Sequence, residues 1–154
     1  MTTTTNLEPS PVNVRIKISA LWVTVLLLFA FVDIFGLYRP DVRAAIEAGE
    51  IGGFAVDQVF LFSAVAYVVV PSLMVFFVLV LRPRVNRIVN IVLGAVYALT
   101  IVAAALGEWG YYLFASALEI GLLAAIVYYA WTWPEEPARG TTPGREGVRR
   151  TEVP

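Results

Sequence analysis

Residues 18–38, ISALWVTVLLLFAFVDIFGLY, decide how this chain is read. Apart from Ser19, Thr24 and Asp33 the stretch is apolar, aromatic or glycine. A helix of about 20 such residues crosses a hydrocarbon layer about 30 Å thick. The run is longer than the apolar core of a secretory signal, and the GLYRPD that follows offers no small-x-small cleavage site, so a retained span is expected. Its one acid, Asp33, is the feature a lipid-facing segment should not have.

Three more runs of the same kind follow, at residues 58–81, 88–106 and 111–133. Hydrophobic residues make up 59% of the 154-residue chain and charged residues 15%, against roughly a quarter charged in soluble domains. The expected fold is therefore all-α: an integral membrane four-helix up-down bundle over residues 17–133, with short connections making successive helices antiparallel and the first and last neighbours. Residues 1–16 and 134–154 are polar and rich in Pro, Gly, Thr and charge, and both tails are expected to be disordered.

Charge sets the threading. Nine of the eleven basic residues lie in the N-terminal flank (Arg15, Lys17), the second connection (Arg82, Arg84, Arg87) and the C-terminal tail (Arg139, Arg145, Arg149, Arg150). With four spans these share one side, so both termini are expected to be cytoplasmic in a multi-pass protein of the inner (plasma) membrane. Tyr38, Trp109, Tyr111 and Tyr112 suit the outer interface, and Trp131 and Trp133 the inner one. Trp22, one turn inside the first span, suits either an anchor or packing.

The chain has no cysteine and no histidine. That removes disulfides, thiol chemistry, histidine-ligated metals and the usual neutral-pH proton carrier. No cofactor or metal site is expected. No nucleophile and base stand in a recognisable arrangement, so the chain is not expected to be an enzyme. A net charge of −1 gives no reason to expect nucleic acid; the lipid bilayer is the expected partner.

Within the spans, polar residues recur at helical spacing. The stripes are Ser19, Trp22, Leu26, Phe29, Asp33 and Gly36; Phe60, Ser63, Tyr67, Pro71 and Met74; Asn90, Gly94, Tyr97, Thr100 and Ala104; and Tyr112, Ser116, Glu119, Leu123 and Ile126. Asp33 and Glu119 are the only carboxyls well inside the apolar runs. Counted from the inner edge they lie roughly 22 Å and 21 Å along their helices, so similar depth is expected. An ionised acid facing lipid costs several kcal/mol, which turns both inward or toward a wet cavity. There a neutral acid can donate a hydrogen bond to Tyr97, Thr100 or Ser116, or share a proton with its partner. The candidate ligand- or proton-binding set is Asp33, Glu119, Tyr97, Thr100, Ser116 and Tyr67.

Other features carry two readings each. Pro71 removes a backbone bond and frees the carbonyl of Tyr67, kinking the second span for packing or as a hinge. The inner-interface arginines Arg82, Arg84 and Arg87 serve as topology determinants, or hold lipid phosphates or an acidic partner. Asn86 and Asn90 cap or cross-link the start of the third span. In the first connection Asp41 is expected to cap a short helix ending at Gly49, Gly52 and Gly53 to loosen the chain, and Asp57 to cap the second span. Gly94, Ala95, Ala98 and the Ala103–Gly107 spacing suit a homodimer face or packing within the chain.

The order KISALW, VDIFGLY, VVVPSLM, RPRVNRIVNI, ALEI and YAWTW resembles a family of small bacterial four-span membrane proteins described as a domain of unknown function, across residues 17–133. The architecture is also distantly similar to DoxX-like proteins. The resemblance implies four membrane helices with Trp22, Asp33, Pro71, Arg87, Asn90, Glu119 and Trp131 as signature positions, and no reaction. The expected task is binding a small molecule or proton at the carboxyl pair. The alternative is an accessory subunit of a larger membrane complex, in which the acids act as interhelical hydrogen-bond glue.

Overall fold

A computed structural model describes residues 12–133. The expectations for both tails fall wholly or mainly outside them. Helices α1 (Val14–Gly36), α3 (Gln58–Val80), α4 (Pro83–Ala104) and α5 (Gly110–Trp131) are each long and apolar enough to cross a membrane. Their outer surfaces are apolar: Leu27, Phe31, Phe62, Phe76, Leu99 and Phe114 are all exposed, as lipid-facing side chains should be.

The ends of the helices have local causes. Asn13 accepts the Arg15 N–H at the start of α1, and Asp57 accepts the Phe60 N–H at the start of α3. Pro83 occupies the first turn of α4, where its missing N–H costs nothing. That proline starts α4 ahead of Ile88, where the apolar run begins, so Asn86 and Arg87 are helical.

The first connection differs in detail from its sequence reading. Its short helix α2 (Pro40–Glu47) starts on Pro40 after Arg39, and Asp41 lies inside the first turn, bonded to the Arg39 side chain instead of capping. Gly49 then takes a left-handed φ of 79°. Gly52 and Gly53, at φ 59° and 82°, form the two-residue turn of a small antiparallel hairpin, β1 (Glu50–Ile51) with β2 (Phe54–Ala55). Two glycines with positive φ are what such a tight turn needs.

The four long helices do not close into an even ring. α1 packs against α3 and α5, and α4 packs against α5. The backbones of α3 and α4 come close at few positions, although only Leu81 and Arg82 separate them, and are joined by side chains. The close α4–α5 contact rests on Gly94: a Cβ there would stand 2.8 Å from Val127 Cγ2. Gly94 is thus spent on packing within the chain, not on a face for a second copy.

Along its length α3 behaves as two helices. From Leu61 to Val70 every residue is exposed, whereas Pro71, Met74 and Val78 are buried. The bundle is accordingly tight at the end bearing the termini and open at the end bearing α2 and the hairpin.

Candidate functional site

The tight end is locked by polar side chains whose hydrogen bonds are all made. Trp22 Nε1 donates to Asn90 Oδ1 at 2.8 Å. The Asn90 amide donates to Asn86 Oδ1 and Asn86 O at 2.7 and 2.8 Å. Asn86 Nδ2 donates to Val78 O at 2.6 Å, and Arg15 Nη1 donates to Leu79 O at 2.7 Å. Val78 and Leu79 lie in the last turn of α3, where backbone carbonyls have no partner within the helix. Ser19 Oγ adds a bond to Val75 O at 2.8 Å. Trp22, Asn86 and Asn90 are completely buried. Trp22 is therefore a packing residue, and the two asparagines are the cross-link.

Above this lock comes an aromatic layer. Tyr97 packs edge-on to Trp22, with ring centroids 6.0 Å apart, and lies 4.7 Å from Tyr67. Phe29 stacks on both tyrosines. The Tyr97 hydroxyl donates to Tyr67 O at 2.5 Å. Tyr67 O is the carbonyl left without a helical donor by Pro71, four residues on. The Tyr67 hydroxyl meets Thr100 Oγ1 at 2.7 Å, and Thr100 in turn bonds Tyr97 O. Long tyrosine side chains thus bridge α3 and α4 where their backbones part.

Beyond that layer lies a cavity of about 250 Å³. All four long helices line it: Phe29, Val32 and Asp33 from α1, Tyr67 and Val68 from α3, Thr100, Ile101 and Ala104 from α4, Tyr112 and Glu119 from α5. Asp33 stands exposed at its edge, and Glu119 is 5% exposed in its wall. Gly36, near the end of α1, lies beside the Tyr111 hydroxyl near the start of α5.

The hydrogen bonds expected of the acids are not made. Neither Asp33 nor Glu119 is bonded to Tyr97, Thr100, Ser116 or the other acid; the Tyr67, Tyr97 and Thr100 hydroxyls bond one another and backbone carbonyls. Ser116 is buried but does not line the cavity. No buried side-chain polar atom among the described residues is both sealed and unpartnered. The Glu119 oxygens, having no protein partner, must open to the cavity. Tyr112, Phe29 and Ala104 belong to the lining although they were not among the candidate residues; they lie on the same helical stripes as Glu119, Asp33 and Thr100, which is the signal that finds them.

The loops at this end are tied across the bundle. Arg39 makes a two-pronged ion pair with Asp41, at 2.6 and 3.2 Å, and reaches Glu108 at 2.5 Å. Its guanidinium lies 4.5 Å from the Trp109 ring centroid. The two acids hold the guanidinium above its ordinary range, and Arg39 holds the Asp41 carboxyl below the usual carboxylate value. Arg39, Asp41, Glu108 and Trp109, from the first and third connections, thus meet beside the cavity end of the bundle.

No group of three or more His, Cys, Asp or Glu among the described residues could hold a metal ion. No curated protein and no solved structure matches the chain. One family model does, over residues 12–139, and it covers all four spans and both halves of the bundle. The chain belongs to that family, a family of unknown function (DUF6326).

Proposed function

We propose that the protein binds a small cationic or protonatable molecule in the cavity between the spans, with Asp33 at the entrance and Glu119 at depth. The observation that carries this reading is the missing hydrogen bonds. Glue acids would be bonded across helices, as Asn86 and Asn90 are; these two acids line one cavity and have no hydrogen bond among the described residues. Glu119 is nearly buried in the wall, and ionisable groups inside membrane spans go by default with ligand, ion or proton sites.

The walls fit the same reading. Phe29, Tyr67 and Tyr112 supply aromatic walls, whose ring faces attract a cation, and the carboxyls offer its counter-charge. A volume of about 250 Å³ falls below the roughly 300–1,000 Å³ of sites for drug-sized ligands, so the ligand is small. With the basic end facing the cytoplasm, as the charge bias of the flanks favours, the cavity opens toward the outer leaflet.

The test is calorimetric titration of tetramethylammonium and of short alkylamines into the protein in neutral-lipid nanodiscs. Saturable binding that vanishes in Glu119→Gln and weakens in Asp33→Asn, at unchanged thermal stability, is expected. Variants that lose stability with no change in ligand binding would favour the accessory-subunit reading.

A further inference from the structure

The other large cavity lies at the opposite end. It measures about 1080 Å³ and brings together Arg15 and Lys17 of α1 with Arg82, Arg84 and Arg87 at the start of α4. We infer that this cleft is a binding site for the phosphate headgroup of an anionic phospholipid in the adjoining leaflet.

A charge bias that only sets topology requires basic residues on one side of the membrane, not a shared cleft. Here cations from two segments distant in sequence line one hollow, and its described lining contains no acid. The carboxylates of the described residues lie elsewhere: Asp33 and Glu119 line the other cavity, while Asp41, Glu47, Glu50, Asp57 and Glu108 belong to the connections at the far end. Converging positive charge, with Lys17, Arg82 and Arg84 exposed to the hollow's surroundings, calls for a counter-charge from outside.

The backbone adds to it. α1 and α4 both present their N-termini to the cleft, and α4 has no side-chain cap. Its first free N–H groups, at Arg84 and Val85, belong to residues that line the hollow, an arrangement suited to a phosphate oxygen.

Position favours a lipid over a soluble phosphate. Trp133 and Tyr129 in the wall are amphipathic rings of the kind that settle at headgroup level. Arg15 and Lys17 already lie over them, 5.6 and 5.4 Å from the ring centroids. Apolar side chains open outward at the rim, Val12 at 54% and Val85 at 46% exposure, where acyl chains would pass. Basic clefts between membrane helices are a recurring form of headgroup site.

The experiment is native mass spectrometry of the full chain, titrated with phosphatidylglycerol and with phosphatidylcholine of matched acyl chains. One phosphatidylglycerol should be retained with about tenfold preference or more. Arg82→Gln/Arg84→Gln should bring the ratio close to one, while Arg82→Lys/Arg84→Lys keeps most of it and Arg43→Gln, at the far end, changes nothing. In the wild type, raising salt from about 50 to 500 mM should weaken the preference, a readout independent of any variant. Equal retention of the two lipids would overturn the assignment, as would a preference unaffected by the double glutamine variant. Displacement by low-millimolar inorganic phosphate would overturn the lipid as its source. A preference that emerges only in Glu135→Gln/Glu136→Gln would also overturn it, giving the cleft to the chain's own tail.

Discussion

The two ends of the bundle both carry polar side chains inside the spans and use them in opposite ways. At the termini end, Trp22, Asn86, Asn90, Ser19 and Arg15 form a chain of bonds that closes on the last carbonyls of α3. At the loop end, Asp33 and Glu119 face a hollow with no protein partner. The difference is produced by α3, which packs closely on one side of Pro71 and stands exposed on the other. A polar residue in a membrane helix therefore has no fixed meaning. Packing around it decides whether it is glue or a site.

If that contrast holds, substitutions should sort by end. The largest loss is expected from Asn90→Ala, which strands Trp22 Nε1 and leaves a hole in a sealed core: about 2–3 kcal/mol, measured by chemical denaturation in micelles. Gly94→Ala should follow at about 1–2 kcal/mol, since Val127 must move for the new methyl group. Tyr97→Phe leaves Tyr67 O without its donor and should cost about 1 kcal/mol by the same measurement, within the range for hydrogen bonds between membrane helices. Glu119→Gln and Asp33→Asn should change stability by less than about 0.5 kcal/mol, because no protein bond is lost. A loss as large as that of Asn90→Ala would erase the distinction between the two ends.

The smallest effect belongs to the loop tie. Asp41 is held below its ordinary carboxylate range by Arg39, so its contribution is present above the unfolded value, including neutral pH. It is lost as pH falls through the lowered folded value. Protection factors of residues 40–57, the intrinsic exchange rate at each pH divided by the observed rate, should accordingly hold from neutral pH down to the lowered Asp41 value and fall only in stronger acid, with Asp41→Asn already less protected at neutral pH. A midpoint near pH 6 would show that another group governs the tie.

Much of this was legible before any coordinates. Four runs of sufficient length announce four spans, because lipid accepts a polar backbone only when each helix satisfies its own bonds. The stripe residues Phe29, Asp33, Tyr67, Thr100, Tyr112 and Glu119 do line one cavity, because helical spacing alone sets which side chains share a face. The Gly52-Gly53 pair carries a hairpin signal that composition alone does not distinguish from a loose link, and Asp41 looks like a cap because an acid in a first turn and an acid at a cap are alike in one dimension.

Sequence by itself determined the apolar surroundings of this protein, the number of its spans and a large part of the cavity lining, since hydropathy and helical period are local properties of the chain. The stripe members Ser63 and Tyr67 nevertheless stand exposed, because α3 packs only after Pro71. Tertiary structure alone decided that α3 stands exposed before Pro71 and is buried on one face after it, that Tyr97 spends its hydroxyl on the carbonyl this proline releases, and that the two acids line a hollow instead of being bonded to each other. Those outcomes depend on which distant groups compete for the same donor and on how closely two helices can approach, and neither is written in any single segment.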